Sequence, residues 1–397
     1  MNPYSQTRAG KDGSARSRTM SALPVKEWSF AERDPIQPTW FSHQTFKHLV
    51  DILCAVSKPV LITVYSVRYY LLGPPISRWS LSNYLLTRLD RFRMGLSQLG
   101  PLSPPQIGPF EVPPGTDRHG VEVTPIRLAS VPEQLRRGIG GCPAVQTVEV
   151  PGFMFTPPGA VGRGLEEAKE GEKVVMHLHG GGYVGGLPCQ DGFPYEFCKS
   201  LGVRSLGVNY RKCLTSASAF PAPILDALAG YIHLTSILSF APGDIILMDL
   251  PQPGLIALSS PWTDMTFSFA SHVTNAATDW LTITRERTRL VSSALRWIGK
   301  DHVTDPYFSP ALAGADEWEY LGDTKVYIMT GTREVFYDED VSVAQNMEAA
   351  GIDVLLREDV DGCHVGAGRP LNGEDVFSMF VRDVQGLLKG PAAGSEP

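Results

Sequence analysis

Apolar residues along this chain change their period near Gly120. Before it, Leu49 to Leu72 reads as a helix whose apolar run is broken by Asp51, Lys58 and Arg68. Its longest uncharged stretch, Pro59 to Val67, falls far short of the ~20 residues a spanning helix needs. Tyr65, Tyr69 and Tyr70 beside Lys58 and Arg68 are residue types that sit well at a lipid headgroup boundary. The segment is therefore expected to be a cap or interfacial helix, with peripheral or anchored membrane contact through 49–72. Trp79-Ser80-Leu81, then Leu85, Leu86 and Leu89, continue with helical spacing,. Gly100 to Pro114 is dense in proline and glycine and marks a boundary.

From Gly120 strand patterns dominate. Val121-Val123-Pro125-Arg127 and Val145-Thr147-Glu149 alternate as an antiparallel pair would, while Val174 to Leu178 and Val203 to Asn209 are apolar runs suited to a parallel sheet,. Phe220 to Phe240 has helical spacing,. Ile245 to Met248 is a short strand, Leu255 to Leu258 another, and Lys325 to Met329 and Val354 to Glu358 close the series. Alternation of strands with helical segments predicts an α/β class with a mostly parallel central sheet. Predicted organisation is a disordered extension over 1–48, cap or interfacial helices and linker over 49–115, a main domain over 116–390 with a cap insertion at about 262–320, and a tail over 391–397. Residues Met1 to Lys26, rich in Ser, Arg and Gly, have too little apolar content to order themselves, and no apolar h-region supports a signal peptide.

Composition narrows the partners. A net charge of −7 with scattered basic residues argues against nucleic acid, so a neutral small molecule is the expected partner. Six well-separated cysteines with no CxxC pair argue against a zinc site or a dense disulfide scaffold. His177 and His179 share one strand face but lack an evident third ligand, so no metal and no cofactor is expected.

Chemistry first becomes specific at His179-Gly180-Gly181-Gly182-Tyr183, where three glycines follow a strand. Such a turn can present free N–H groups to an oxyanion. With Val208-Asn209-Tyr210-Arg211, Phe220-Pro221-Ala222-Pro223 and Asp226-Ala227, Ser260-Pro261-Trp262-Thr263-Asp264, Gly331-Thr332-Arg333-Glu334, and His364, the chain resembles the hormone-sensitive-lipase-like (alpha/beta hydrolase fold-3) esterases. Within that branch it is most similar to fungal steryl-acetyl-hydrolase-like proteins. The resemblance runs from about Gly120 to Gly390. It implies an α/β-hydrolase fold with a helical cap, and hydrolysis of acetyl or other short-acyl hydrophobic esters. It also implies an oxyanion hole at His179, Gly180, Gly181 and Gly182, and a relay of Glu334 and His364, with Asp338 and Asp340 as rivals for the acid.

The nucleophile is the departure. In such a fold the strand ending at Met248 should lead into G-x-S-x-G, yet Asp249-Leu250-Pro251-Gln252-Pro253 follows and that motif occurs nowhere in the chain,. Neighbouring parallel strands also need a crossover of about a dozen residues or more. Both arguments place a loss of ~20 residues, serine included, between Met248 and Asp249. The cause is either a faulty gene reading of an active enzyme or a real deletion. The chain as written is expected to be inactive. The alternative is a non-catalytic, ligand-binding protein on the same scaffold, as in the gibberellin receptors that this branch resembles.

Overall fold

A computed structural model describes residues 44–97, 110–112, 120–136, 138–247, 253–281, 291, 294–295, 299–365 and 376–389. The extension before 44, the 98–109 linker, the tail, and the 248–252 stretch where the serine is expected lie outside them.

Eight strands form one sheet in the order β1-β2-β4-β3-β5-β6-β7-β8. They are β1 Glu122–Leu128, β2 Val150–Thr156, β3 Val174–Leu178, β4 Arg204–Val208, β5 Ile245–Leu247, β6 Leu255–Ser259, β7 Lys325–Gly331 and β8 Val354–Asp359. β2 runs antiparallel to both β1 and β4, and all pairs from β4 through β3 to β8 are parallel. The expected partner strand at Val145–Glu149 is instead a loop, and the strand begins at Val150. Because β2 lies between two strands and is buried at all seven positions, its signature is a continuous apolar run rather than alternation.

Helices cover both faces. On one, Phe197 of α3 (Phe193–Leu201) and Val376, Phe380 and Val384 of the last helix (Val376–Lys389) pack over Val175, Leu255, Ala257, Tyr327 and Met329. On the other, α4 (Ala222–Ile232) covers Val174, Met176, Leu206 and Val208, while the helix Tyr337–Ala349 covers Ile256, Leu258, Val326 and Ile328. Residues 174/176 and 175, or 256/258 and 255/257, divide between the faces with the strand period of two. Among the described residues this second face holds one cluster under each of these two helices. The helical pattern of Phe220 to Phe240 ends earlier than its periodicity suggests, in a π-turn at His233–Ile237.

β5 and β6 are parallel neighbours, pairing Ile246 with Leu255 and Leu247 with Ile256, although only residues 248–254 join them. That link is too short for the helix such a crossover usually carries. It returns the chain so closely that a Cβ on Gly254 would lie 2.1 Å from the Gly243 carbonyl oxygen.

N-terminal to the sheet, α1 (Gln44–Leu72) and α2 (Leu81–Ser97) form a pair. Leu49, Val56, Val60, Val64, Val67 and Leu71 of α1 are all more than half exposed. By length and composition its Asp51–Leu72 portion could cross a membrane, with a mean hydropathy of 1.3 and none of that window buried, even though its uncharged run is short. Tyr65 and Tyr69 hold α1 to Tyr84 and Trp79. Among the described residues, further helices with given bounds are α5 (Ser271–Thr274), α6 (Tyr337–Ala349) and α7 (Val376–Lys389).

Candidate active site

Parallel pairing from β3 to β8 puts the turns after β3, β5, β6, β7 and β8 on one carboxyl edge, where open α/β sheets bind ligands. After β3 the chain turns through Gly181 and Gly182, with φ of 124° and 59°. A Cβ on Gly181 would lie 2.5 Å from the Gly185 oxygen, so the turn admits glycine alone there. Among the described residues the N–H groups of Gly181 and Gly182 find no acceptor, which leaves them for a ligand oxygen.

His179 anchors this turn from below. It is buried, stacked on Tyr210 at 4.3 Å, and its Nδ1–H donates to the Gly180 oxygen at 2.8 Å. Lys212 donates to His179 Nε2 at 2.7 Å, to Asn209 Oδ1 at 3.1 Å and to the Tyr210 oxygen at 2.7 Å. Burial and the Lys212 charge lower the His179 pKa to about 3, and burial lowers that of Lys212 to about 7,. His177 has a different partner, Asp191 Oδ2 at 3.0 Å. The two histidines thus serve two separate networks. Lys212 stood out in no sequence pattern, since only the folded turn brings it to His179.

Glu334 follows β7, fully buried, and His364 follows β8. His364 Nδ1 lies 3.4 Å from Glu334 Oε2, at the long end of ion-pair contact, and neither atom has another hydrogen-bond partner among the described residues. The Thr330 hydroxyl donates to Glu334 Oε1. Burial pushes the Glu334 carboxyl up, but His364 and Thr330 more than offset it and hold it below its ordinary value. β7 meets the His364 loop so tightly that a Cβ on Gly331 would lie 2.5 Å from the Gly362 oxygen. Phe336 and Trp280 flank the imidazole, with centroids at 5.1 and 5.5 Å.

The two rival acids separate. Asp338 turns away to accept the Ser271 N–H at 2.8 Å. Asp340 is buried behind Glu334, and burial plus the charges of Glu334 and Glu339 raise its pKa well above the ordinary value. A carboxyl with a raised folded-state pKa loses stability as pH rises above its unfolded value of ~4. Asp340→Asn should therefore flatten the decline of stability with rising pH. Urea unfolding at pH 5 and pH 8 measures it; an unchanged slope would mean that Asp340 titrates normally.

Asp264, His272 and Glu339, all buried, bring one potential metal-ligand atom each within 4.8 Å of one another. Most of their polar atoms are already engaged, His272 Nδ1 being the exception. Glu339 accepts the Thr263 and Asp264 N–H groups at 2.6 and 3.1 Å and the His272 Nε2–H at 2.6 Å. Asp264 accepts the Thr266 and Ser268 N–H groups at 2.8 and 2.6 Å. The cluster therefore holds the Trp262–Ser268 turn rather than an open coordination site. Cys189 lies in a different cluster, with Phe153 and Tyr195, where burial lifts its thiol to about 12. That environment does not make a nucleophile.

Residues 245–367 match a family model described as alpha/beta hydrolase fold, a span that includes Glu334 and His364 but not the glycine turn. An acetyl-hydrolase of Streptomyces hygroscopicus is 26% identical over 264 residues, 62% of this chain and 82% of that protein. The crystal structure of EstE5 soaked by ethyl alcohol superposes with a TM-score of 0.53 at 21% identity, covering 77% of this chain and 97% of that one. An esterase from the bacterial hormone-sensitive lipase family gives 0.50 at 22% identity, covering 84% and 97%. Strand order, helix placement and these likenesses agree that the chain has the α/β-hydrolase fold.

Proposed function

We propose that this chain is the framework of a carboxylic ester hydrolase for acetyl and other short-acyl esters of hydrophobic alcohols, without cofactor or metal. As written it lacks its nucleophilic serine, whose place is between Met248 and Asp249. The observation that carries the reading is the Glu334–His364 contact at 3.4 Å, on the same sheet edge as a glycine turn with uncommitted N–H groups. His364 would take the serine proton, Glu334 would stabilise the imidazolium, and Gly181 and Gly182 would donate to the oxyanion. Similarity to an acetyl-hydrolase and the resemblance to steryl-acetyl-hydrolase-like proteins favour an acetyl group on a bulky apolar alcohol, which aromatic walls such as Trp280 and Phe336 suit.

The short 248–254 link favours a second reading, a ligand-binding protein without catalysis. The test compares this chain with one carrying a G-x-S-x-G turn and its helix after Met248. On the enzyme reading only the second hydrolyses p-nitrophenyl acetate and takes up a fluorophosphonate. If neither does, across acyl chains from acetyl to octanoyl, the binding-protein reading replaces it.

The exposed apolar face of α1 is proposed to contact lipid. Full-length protein should float with phosphatidylcholine vesicles while the 73–397 fragment stays in solution; flotation of both would refute a role for α1.

A further inference from the structure

Glu334 and His364 sit on separate loops that meet directly, the Arg333 N–H donating to the Gly362 oxygen at 2.9 Å and the Asp361 N–H to Thr332 Oγ1 at 2.8 Å. A third segment, residues 275–281, touches both. Asn275 Nδ2 donates to the Glu334 oxygen at 2.9 Å and the Thr278 hydroxyl to the Arg333 oxygen at 3.2 Å. Trp280 Nε1 donates to the His364 oxygen at 2.8 Å. Thr278 also reaches both, its oxygen accepting the Cys363 S–H at 3.5 Å, but Asp279 does so with a single carboxylate. Its Oδ2 accepts the N–H of Val335, next to Glu334, at 2.8 Å, and its Oδ1 accepts the N–H of His364 at 3.3 Å and of Leu281 at 3.2 Å.

We propose that Asp279 is a positioning residue that fixes the His364 ring against Glu334 by holding both loop backbones with one carboxylate. This rests on the reading of Glu334 and His364 as the acid and base pair. Its geometry is difficult to replace. An amide at 279 offers only one acceptor oxygen, so one of the two loops would meet an N–H group instead. The carboxyl group is also expensive to retain, being fully buried. Burial pushes it up to about 6, the Glu334 charge adds to this, and the His364 charge and the Val335 N–H oppose it. Groups facing it are Glu334, His364 and Cys363 on the two loops and Arg91 on α2. The Arg91 guanidinium donates to the backbone oxygens of Ala276 and Asp279, not to the carboxylate. A buried acid costs stability when ionised, and the position where it sits joins the two loops of the pair.

Nuclear magnetic resonance of the full chain tests this without any need for activity. The Asp279 carboxyl carbon and the Val335 and His364 amide protons should share one midpoint near 6, with the His364 ring followed separately through its Cε1. Asp279→Asn should abolish that shared inflection at Val335. It should also speed hydrogen exchange at Val335 and His364 together by ~10-fold or more, the equivalent of one lost hydrogen bond. The unsubstituted titration stands even if the variant folds poorly. Absence of a shared midpoint, or faster exchange at Leu281 alone, would overturn the proposal and leave Asp279 as a local turn cap. In the chain with a reinstated serine turn, Asp279→Asn should lower kcat by ~10²-fold with KM changed less than about twofold. If that chain is inactive while the resonance results hold, the enzyme reading fails and the brace stands.

Discussion

Reinstating about 20 residues, a G-x-S-x-G turn and the helix after it, between Met248 and Asp249 should raise p-nitrophenyl acetate turnover at least ~10³-fold over the chain as written. Removing a hydrolase nucleophile costs up to ~10⁶-fold, so the expectation is conservative. The physical basis is convergence. β5 lies between β3, which leads into the glycine turn, and β6, with β7 and β8 beyond. A serine at the end of β5 therefore stands between the oxyanion donors and His364. The N–H of the residue after that serine would complete the donor set. The same insertion supplies the helix that a parallel crossover such as β5 to β6 usually carries. Burying apolar strand surface at ~25 cal/mol per Å² contributes several kcal/mol, a large part of a domain's net stability. The reinstated protein should thus also melt at least several degrees higher. Higher activity with an unchanged or lower melting temperature would mean that the inserted helix adds no apolar burial to the sheet.

Strands β3 to β8 were legible because buried parallel strands are short continuous apolar runs. β2 misled for a related reason: being buried on both faces, it showed no alternation, and the weakly alternating Val145–Glu149 beside it drew the assignment. α1 was judged by its longest uncharged run, yet the helix is continuous from Gln44 to Leu72, because Asp51, Lys58 and Arg68 interrupt hydropathy without interrupting helical hydrogen bonding. In the site, His179 to Gly182, Glu334 and His364 stood out through local motifs. Asn275, Thr278 and Asp279 did not, because their partners are backbone groups some 55 to 85 residues distant in sequence. A solitary Asp in a loop carries no periodic signal, and Lys212 was hidden in the same way. Such residues become visible only when a fold brings distant loops together.

Within the reinstated protein, the three candidate acids should separate by orders of magnitude. Glu334→Gln is expected to lower kcat by ~10⁴-fold, because an amide cannot stabilise the imidazolium and favours the wrong tautomer of the ring it faces. His364→Ala should cost at least as much, since the serine hydroxyl then loses its base. Asp338→Asn should change kcat less than about threefold, because Asp338 accepts the Ser271 N–H and does not touch the imidazole. Asp340→Asn is the informative case. Asp340 lies behind Glu334, where burial and the charges of Glu334 and Glu339 raise its pKa well above the ordinary value, so the site favours the protonated form and an amide of the same shape mimics it. Its effect on kcat should stay within ~10-fold, while the ionised Glu334, held below its ordinary value by His364 and Thr330, remains the acid. Steady-state kinetics of the four variants on p-nitrophenyl acetate at pH 7.5 decides the matter. If Asp340→Asn cost as much as Glu334→Gln, the two carboxyls would act as one unit with a shared proton, and Glu334 alone could not be assigned the role.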